Sequence, residues 1–170
     1  MKIGIDIDNT ICKTFYMTEN QYNKYYKDDF KKLGKYDQYE FSAIYEKDIF
    51  DNCPIFEGAK DVINELYKDN DIYFITARCN RRIENIEKRT IDYLNKNGIN
   101  YNDIFFDLDH KLDKYKELNL DVMIDDDIMV YNSIIKDNGK CILFNSYLNK
   151  DSNIKKAYNW HDVSEMLKEV

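Results

Sequence analysis

Two aspartates separated by one residue follow the first apolar run of the chain. Residues 3–10 read IGIDIDNT, with Asp6 and Asp8 at the end of the run. In an extended chain, side chains two residues apart lie on the same face, so both carboxylates can enter one site. One could then act as a nucleophile and the other as a general acid and base, or both could be solvated groups at a strand end. The rest of the sequence has to distinguish these alternatives.

A second acidic group follows another apolar run. Residues 122–124, VMI, lead into Asp125, Asp126 and Asp127. The carboxyl ends of parallel strands meet at one edge of a sheet, so this group can lie beside the first pair. Crowded carboxylates raise one another's pKa and repel, which costs stability unless a cation lies between them. Mg2+ binds oxygen ligands of this kind together with substrate phosphate and water, so we expect it as the cofactor.

Two further segments carry groups that suit a phosphoryl oxygen. Residues 72–75, IYFI, run into Thr76, Ala77 and Arg78, which offer a hydroxyl, backbone N–H groups and a guanidinium at a strand end. Lys111 begins the segment that leads into the second acidic strand, and its ammonium could neutralise a phosphoryl oxygen. Taken singly, Thr76 is commonly a strand-end hydroxyl and Lys111 a solvated lysine. Together with both acidic groups, they indicate a phosphate site.

Alternating apolar runs and helical patterns must position these residues. Short apolar runs predict strands at residues 2–7, 72–75, 104–106, 122–124 and 141–144. Apolar residues at helical spacing predict helices at residues 59–67, 83–94, 112–118 and 128–135. Strands that alternate with helices in this way predict an α/β fold, with a Rossmann-like parallel sheet and helices on both faces.

Residues 13–51 interrupt the alternation. They contain no strand-like run, and their aromatic residues recur at spacings of three and four, which predicts a pair of helices inserted after the first strand. We therefore expect a core of residues 1–12 and 52–170 with a small helical cap at 13–51. Because the insertion follows the first strand directly, we expect Phe15 and Tyr16 near the site. The aromatic residues expected only to pack are Tyr22, Tyr25, Tyr26 and Phe30.

The order DIDNT, ITAR, HK and DVMIDDD resembles the four motifs of the haloacid dehalogenase superfamily of phosphohydrolases. The resemblance implies a Rossmann-like core, a helical cap inserted after the first strand, and Mg2+-dependent phosphoryl transfer through an aspartyl-phosphate. It also implies that Asp6 attacks phosphorus. Asp8 would protonate the leaving oxygen and later take a proton from water.

The same resemblance implies ligands for the metal and the phosphate. Mg2+ would be held by the carboxylate of Asp6, the backbone carbonyl of Asp8 and the carboxylate of Asp125, with Asp126 as a helper. The phosphoryl oxygens would be held by Thr76 and Lys111.

Several longer segments are similar to a narrower branch of the superfamily. GIDIDNTIC, FEGAKDVINELY and IYFITAR resemble the deoxyribonucleotidase-like branch, and so does CILFNSYLN. In CILFNSYLN, Asn145 stands where that branch usually has a carboxylate, and the proline that often follows is absent.

The composition limits the classes of partner. The 170 residues carry 25 Lys plus Arg against 32 Asp plus Glu, a net charge of −7. Tight binding to a nucleic-acid backbone needs a basic surface, so we expect no long nucleic acid as a partner. Aspartates break the first apolar run early, and no stretch approaches roughly 20 apolar residues, so we expect neither a signal peptide nor a membrane partner. The oligomeric state stays open.

The cysteines and histidines do not form a recognisable metal or redox motif. The histidines, His110 and His161, have no carboxylate or cysteine at ligand spacing, so we expect neither a zinc site nor a histidine phosphatase. Widely separated cysteines without a CxxC pair indicate reduced thiols and a cytoplasmic location. These cysteines are Cys12, Cys53, Cys79 and Cys141.

These observations favour a phosphatase that acts on a small phosphate monoester, with a nucleoside monophosphate as the preferred substrate. A general phosphatase of small phosphorylated metabolites and a polynucleotide 3'-phosphatase would use the same four motifs. A catalytically silent binding or scaffold protein is a further alternative. It is disfavoured because a protein without this chemistry has no reason to keep so many carboxylates together.

Overall fold

The computed structural model describes residues 1–26, 29–34, 37–38, 41 and 49–170. Its strands are β1 (Lys2–Ile5), β2 (Asp71–Ile75), β3 (Asp103–Phe105), β4 (Val122–Asp125), β5 (Cys141–Phe144) and β6 (Lys156–Ala157). The helices in these residues are α1 (Thr14–Tyr25), α2 (Ala59–Leu66), α3 (Ile86–Lys96), α4 (Leu112–Leu118), α5 (Ile128–Lys136) and α6 (Trp160–Leu167). Short 3-10 turns lie at Phe30–Lys32 and Tyr147–Asn149.

The strands form one parallel sheet in the order β3-β2-β1-β4-β5-β6. This is the strand order of a doubly wound Rossmann-like sheet, and the predicted fold class is confirmed. The order reverses direction at β1, where Ile5 pairs with Phe74 of β2 on one side and with Ile124 of β4 on the other. Ligands of such sheets bind beyond the carboxyl ends of the strands at this point.

Helices cover both faces of the sheet. Along β2, Ile72 and Phe74 are buried in a large core cluster that includes residues of α2, α3 and α6. Ile75 is buried in a second cluster with Ile134 of α5, and half-buried Tyr73 packs against it. Alternate residues of one strand thus enter opposite cores, as the period of two in a strand requires.

The first strand is shorter than predicted. The sequence predicts a strand over residues 2–7, but β1 ends at Ile5. The carbonyl of Ile7 accepts hydrogen bonds from the N–H groups of Thr10, Ile11 and Cys12 at 3.4, 3.0 and 3.1 Å. Residues 7–12 therefore form a tight turn, and both Asp6 and Asp8 lie beyond the end of β1.

Two other differences have local causes. The helix predicted from residue 83 begins at Ile86, because Asn85 has a φ of 56° and cannot be part of a right-handed helix. The sequence analysis predicted neither β6 nor α6. Trp160 of α6 is fully buried, and its indole Nε1 donates to the carbonyl of Thr10 at 3.0 Å. The C-terminal segment thus supports the turn that follows β1.

The insertion begins with α1 and forms its own aromatic cluster. Tyr22, Phe30 and Phe41 are buried together, with Phe15 and Leu33 packed against them. The expected packing roles of Tyr22 and Phe30 are confirmed, although Phe30 lies in a separate 3-10 turn. Tyr26 stacks on Tyr22 but is 49% exposed, and the side chain of Tyr25 and most of the predicted second helix lie outside the described residues. The division into core and cap stays a prediction.

Each of the four cysteines is a free thiol in the structure. In the described part of the chain, no helix combines the length and the apolar character needed to cross a membrane.

Candidate active site

The carboxyl ends of β1 and β4 bring three aspartates together. Asp6 follows β1, and its backbone N–H donates to the carbonyl of Ile124 in β4 at 2.9 Å, one residue before Asp125. Carboxylate oxygens of Asp6, Asp125 and Asp126 lie within 4.8 Å of one another, and all three residues are buried. We call these three residues the carboxylate cluster.

Lys111 is the cation that faces this cluster. It immediately precedes α4 and is 4% exposed. Its Nζ donates to Asp6 Oδ1 at 2.5 Å and to Asp125 Oδ2 at 2.8 Å. Burial lowers the pKa of Lys111, but the charges of Asp125 and Asp6 outweigh it, so the pKa lies above its usual value. The sequence-based role of Lys111, holding a phosphoryl oxygen, stays a prediction; in the structure its ammonium contacts carboxylates.

One ammonium does not balance three buried carboxylates. Burial raises the pKa of Asp6 to about 7; Lys111 opposes the rise, and the carboxylates of Asp125 and Asp8 add to it. Burial also raises the pKa of Asp125 against the effect of Lys111. Burial and the charges of Asp6 and Asp125 raise the pKa of Asp126 well above its usual value. The cluster therefore retains protons at a pH where ordinary aspartates have lost them.

The cluster has the chemistry of a divalent-cation site. Oδ2 of Asp126 is buried and has no hydrogen-bond partner among the described residues. An unpartnered carboxylate oxygen is costly in a protein interior, and a bound cation removes that cost. Three carboxylates and one ammonium leave two negative charges when all are ionised, which matches one Mg2+. The residues present therefore fit the metal that the sequence analysis expects.

Two neighbouring residues fix the end of β4. Asp127 caps α5 by accepting a hydrogen bond from the N–H of Met129 at 2.8 Å, and its own N–H donates to Asp125 Oδ1 at 2.8 Å. Asn149, in the loop after β5, donates its side-chain amide to the carbonyls of Asp126 and Phe144 at 2.8 and 2.7 Å. Asn149 ends the segment CILFNSYLN, and no pattern in the sequence indicates a role for this residue.

Asp8 is held by a different set of partners. Arg78 donates from Nε to Asp8 Oδ2 at 2.9 Å and from Nη2 to Asp8 Oδ1 at 2.6 Å. The hydroxyl of Thr14, at the start of α1, donates to Oδ1 at 2.5 Å. Burial favours the neutral acid, but the charge and hydrogen bonds of Arg78 outweigh it and lower the pKa of Asp8. Sequence reasoning missed this use of Thr14, since spacing in the chain carries no signal for it.

Thr76 and Ala77 lie at the end of β2, next to β1 and therefore to Asp6. The backbone N–H of Arg78 donates to the Thr76 hydroxyl at 3.2 Å. Thr76 is fully buried and Ala77 is half-buried. Their predicted contact with a phosphoryl group stays a prediction, and so does the contact between Arg78 and substrate.

The remaining charged residues of this region pair at the surface. Arg81 pairs with Asp107, and Arg82 donates to Asp109 at 3.2 and 2.5 Å. Both histidines, His110 and His161, are exposed. Within the described residues, the carboxylate cluster is the only group of three or more metal-ligating side chains.

A cavity of about 430 Å³ lies where the start of the insertion meets the loop after β5. Phe15 and Tyr16 line it, as does Tyr147, whose ring stacks on Phe15 with centroids 4.6 Å apart. The other lining residues are Asn9, Lys13, Pro54, Phe56, Asn145 and Ser146. A larger open depression of about 720 Å³ is lined by residues that include Lys2, Asp71 and Asp121, at the amino ends of the strands and away from the cluster. Size alone therefore does not locate the site.

Comparisons with known proteins identify relatives of this chain. The family described as "5' nucleotidase, deoxy (Pyrimidine), cytosolic type C protein" matches residues 1–170. A nucleotidase of Clostridium acetobutylicum is 28% identical over 179 residues, which cover 96% of this chain and 91% of that protein.

Solved structures show the same fold. A haloacid dehalogenase-like hydrolase of Streptococcus pneumoniae is 14% identical, with a TM-score of 0.60 over 98% of this chain and 97% of that chain. The haloacid dehalogenase hydrolase YfnB of Bacillus subtilis, whose structure contains magnesium, is 13% identical, with a TM-score of 0.62 over 98% of this chain and 97% of that chain. The chain therefore belongs to the deoxy-5'-nucleotidase family of haloacid dehalogenase-type hydrolases and is a phosphatase of the nucleotidase type.

Proposed function

We propose that the protein hydrolyses (deoxy)nucleoside monophosphates with Mg2+, through an aspartyl-phosphate on Asp6. The observation that carries the proposal is the buried carboxylate cluster, with its unpartnered Asp126 Oδ2 and its single ammonium on Lys111. When fully ionised, the cluster carries two more negative charges than positive ones. A divalent cation would balance them and keep Asp6 ionised, and an ionised Asp6 is a nucleophile.

The proposed reaction has two half-reactions. In the first, a carboxylate oxygen of Asp6 attacks phosphorus, the bond to the ester oxygen breaks, and that oxygen takes a proton from Asp8. In the second, water attacks the phosphorus of the aspartyl-phosphate, gives a proton to Asp8, and the bond to Asp6 breaks. The sum is ester plus water to alcohol plus phosphate. The ion pair with Arg78 lowers the pKa of Asp8 and so favours the ionised form that the second half-reaction requires. The first half-reaction needs the protonated form, which the same ion pair disfavours.

The metal would be held by the carboxylates of Asp6, Asp125 and Asp126, together with the backbone carbonyl of Asp8. When bound, Mg2+ neutralises the charge of the phosphoryl oxygens and of the nucleophile. Lys111 adds a fixed positive charge beside Asp6. We propose that Thr76 and the backbone N–H groups after it bind the remaining phosphoryl oxygens.

The cavity at the start of the insertion supports a nucleoside as the rest of the substrate. Its aromatic walls include Phe15, Tyr16, Phe56 and Tyr147. Tyr16 is 55% exposed, so its ring is accessible to a ligand. Stacking of a base on an aromatic ring is worth on the order of 1–3 kcal/mol, enough to change KM roughly tenfold. The polar lining residues offer hydrogen bonds to a base or sugar.

The charge of the protein bears on the class of substrate. The net charge of −7 disfavours a polynucleotide end as substrate. The free thiols of the four cysteines support the proposed cytoplasmic location. A general phosphatase of small metabolites is the remaining alternative, and substrate preference distinguishes it from a nucleotidase.

A panel of phosphate esters tests the proposal. With Mg2+ present, nucleoside monophosphates should exceed sugar phosphates and phosphoserine in kcat/KM. Tyr16→Ala should raise KM for nucleotides about tenfold while leaving a chromogenic aryl phosphate unaffected. Tyr158→Ala serves as the control, since Tyr158 is similarly exposed at 65% and lies outside the cavity lining. Equal efficiency across the panel would refute the nucleotide preference, and full activity in excess chelator would refute the metal requirement.

A further inference from the structure

Arg78 is buried, and all three nitrogens of its guanidinium donate hydrogen bonds within the protein. The side chain is 3% exposed. Two of its nitrogens bind the carboxylate of Asp8, at 2.9 and 2.6 Å. The third, Nη1, donates to the hydroxyl of Thr90 at 3.1 Å. The two parallel bonds to one carboxylate form the bidentate geometry that fixes both position and orientation of a carboxyl group.

Thr90 anchors this arrangement to α3. The residue is fully buried, and its hydroxyl donates to the carbonyl of Ile86 at 2.7 Å. The proton of that hydroxyl is thus committed to the helix backbone, and its lone pairs face Arg78. The guanidinium is therefore bound to α3 through Nη1, while Nε and Nη2 bind Asp8.

Both chain segments that connect the insertion to the core lie against the pair. On the entry side, Cys12 Sγ is 3.5 Å from Arg78 Nη2, and Thr14 donates to Asp8. On the exit side, the guanidinium carbon lies 4.9 Å from the ring centroid of Phe50. Exclusion of water by these residues strengthens the ion pair. The pair is thus part of the junction between the core and the insertion.

We propose that Arg78 is a positioning residue for Asp8 rather than a ligand of the phosphoryl group. It holds the Asp8 carboxylate in one orientation, beside the segments that join the insertion to the core. Asp8 and Arg78 then act as a unit, and Thr90 fixes Arg78 without contact to any reacting atom. The proposal rests on the proposed function, because that function gives Asp8 its role in proton transfer.

The nature of the leaving group separates a positioning role from phosphate binding. An alcohol such as the 5'-hydroxyl of a nucleoside needs a proton as it departs, whereas a nitrophenolate does not. Arg78→Lys keeps the charge but loses the bidentate geometry. The ratio kcat/KM reports the first half-reaction, in which the alcohol departs. We expect kcat/KM for a nucleoside monophosphate to fall about 10²-fold or more, and kcat/KM for p-nitrophenyl phosphate to fall by less than about threefold. The inhibition constant of inorganic phosphate should stay within about twofold, since no phosphate contact is lost.

Two further variants test the positioning role, and the first does so even if Arg78→Lys fails to fold. Thr90→Val conserves the shape of the side chain and removes the anchor, and it should produce the same leaving-group dependence in weaker form. In an Asp8→Asn background, Arg78→Lys should cause no further loss of kcat/KM for the nucleoside monophosphate, because residues that act as a unit are not additive. Arg82→Lys is the matched control, because Arg82 pairs with Asp109 at the surface. It should leave both substrates unchanged.

The outcomes distinguish a positioning role of Arg78 from phosphate binding. Equal losses on both esters, together with a weaker inhibition by phosphate, would show that Arg78 binds the phosphoryl group and overturn the proposal. Additive losses in the Asp8→Asn background would also overturn it. A wild-type protein inactive on both esters would overturn the proposed function and the positioning role with it, whereas an active wild type with equal losses overturns the positioning role alone.

Discussion

The side-chain amide of Asn149 donates a hydrogen bond to the backbone carbonyl of Asp126 at 2.8 Å and so joins the loop after β5 to the end of β4. Asn149 is buried, and the same amide also binds the carbonyl of Phe144 at 2.7 Å. One side chain thus satisfies two buried acceptors next to the carboxylate cluster.

Asn149→Ala should therefore destabilise the protein. Loss of a buried hydrogen-bond donor costs about 1–3 kcal/mol for each acceptor left unsatisfied, so we expect a decrease of about 2 kcal/mol or more in the free energy of unfolding. Urea unfolding measures it. Asn153→Ala is the control, because Asn153 is exposed and lies in the same loop region. Equal effects of the two substitutions would contradict the bridging role of Asn149.

Substitution of the two motif aspartates should separate their chemical roles. Asp6→Asn should abolish turnover and keep the fold, because an amide fills the same space but does not attack phosphorus. Asp8→Asn should slow alkyl phosphates more than aryl phosphates, because aryl leaving groups need less proton assistance. Steady-state kinetics on both ester classes, with circular dichroism as the folding control, measure these effects. Near-normal turnover by Asp6→Asn would contradict its role as nucleophile.

Asp126→Asn should change the response of the protein to Mg2+. The substitution removes one buried negative charge from the cluster, so the metal-free protein should gain stability. The increase in Tm on adding Mg2+ should shrink, because a ligand that binds more weakly stabilises the folded state less. Thermal unfolding with and without Mg2+ measures both effects. Asp127→Asn is the control, because Asp127 is a neighbouring aspartate that caps α5. An unchanged shift with Mg2+ would remove Asp126 from the metal site.

The metal-free protein should lose stability as the pH rises towards neutrality. Burial raises the pKa of Asp6 to about 7, against 3.8 for an ordinary aspartate. Between these values the folded state holds a proton that the unfolded chain has released, so the free energy of unfolding falls as pH rises through this window. We expect wild type, measured in chelator, to lose about 1 kcal/mol or more relative to Asp6→Asn between about pH 5 and pH 7. Parallel stability curves for the two proteins would contradict this shift.

Gly4 should not accept a side chain. A Cβ at this position of β1 would lie 2.6 Å from Leu120 Cδ1 and 2.7 Å from Met123 Sδ, both buried. Overpacking of a dense core costs about 1–3 kcal/mol, so Gly4→Ala should lower the free energy of unfolding by that amount. Gly34→Ala is the matched control, because the nearest atom to its added Cβ is a side-chain oxygen of Asp37 at 3.5 Å. Equal stability of the two variants would contradict the close packing at β1.

Local sequence patterns are enough to predict the fold class and the neighbourhood of the carboxylates. Apolar runs alternate with helical patterns, and this local signal is enough to predict a parallel sheet. The rule that strand ends meet at one edge then places Asp6 beside Asp125 without coordinates. The spacing of motifs also identified the family to which the chain belongs. Sequence patterns do not predict β6, because its two residues are too few to give a periodic signal.

The partner of each charged side chain depends on contacts between distant parts of the chain. The spacing of Asp6 and Asp8 predicts one shared site, which stays a prediction, whereas the pairing of the Asp8 carboxylate with Arg78 is visible only in the fold. Seventy positions separate Asp8 from Arg78, and 105 separate Asp6 from Lys111. No local pattern encodes such pairings. They follow from how the strand order places the ends of β1, β2 and β4 together, and from burial, which makes an unpaired charge too costly to leave.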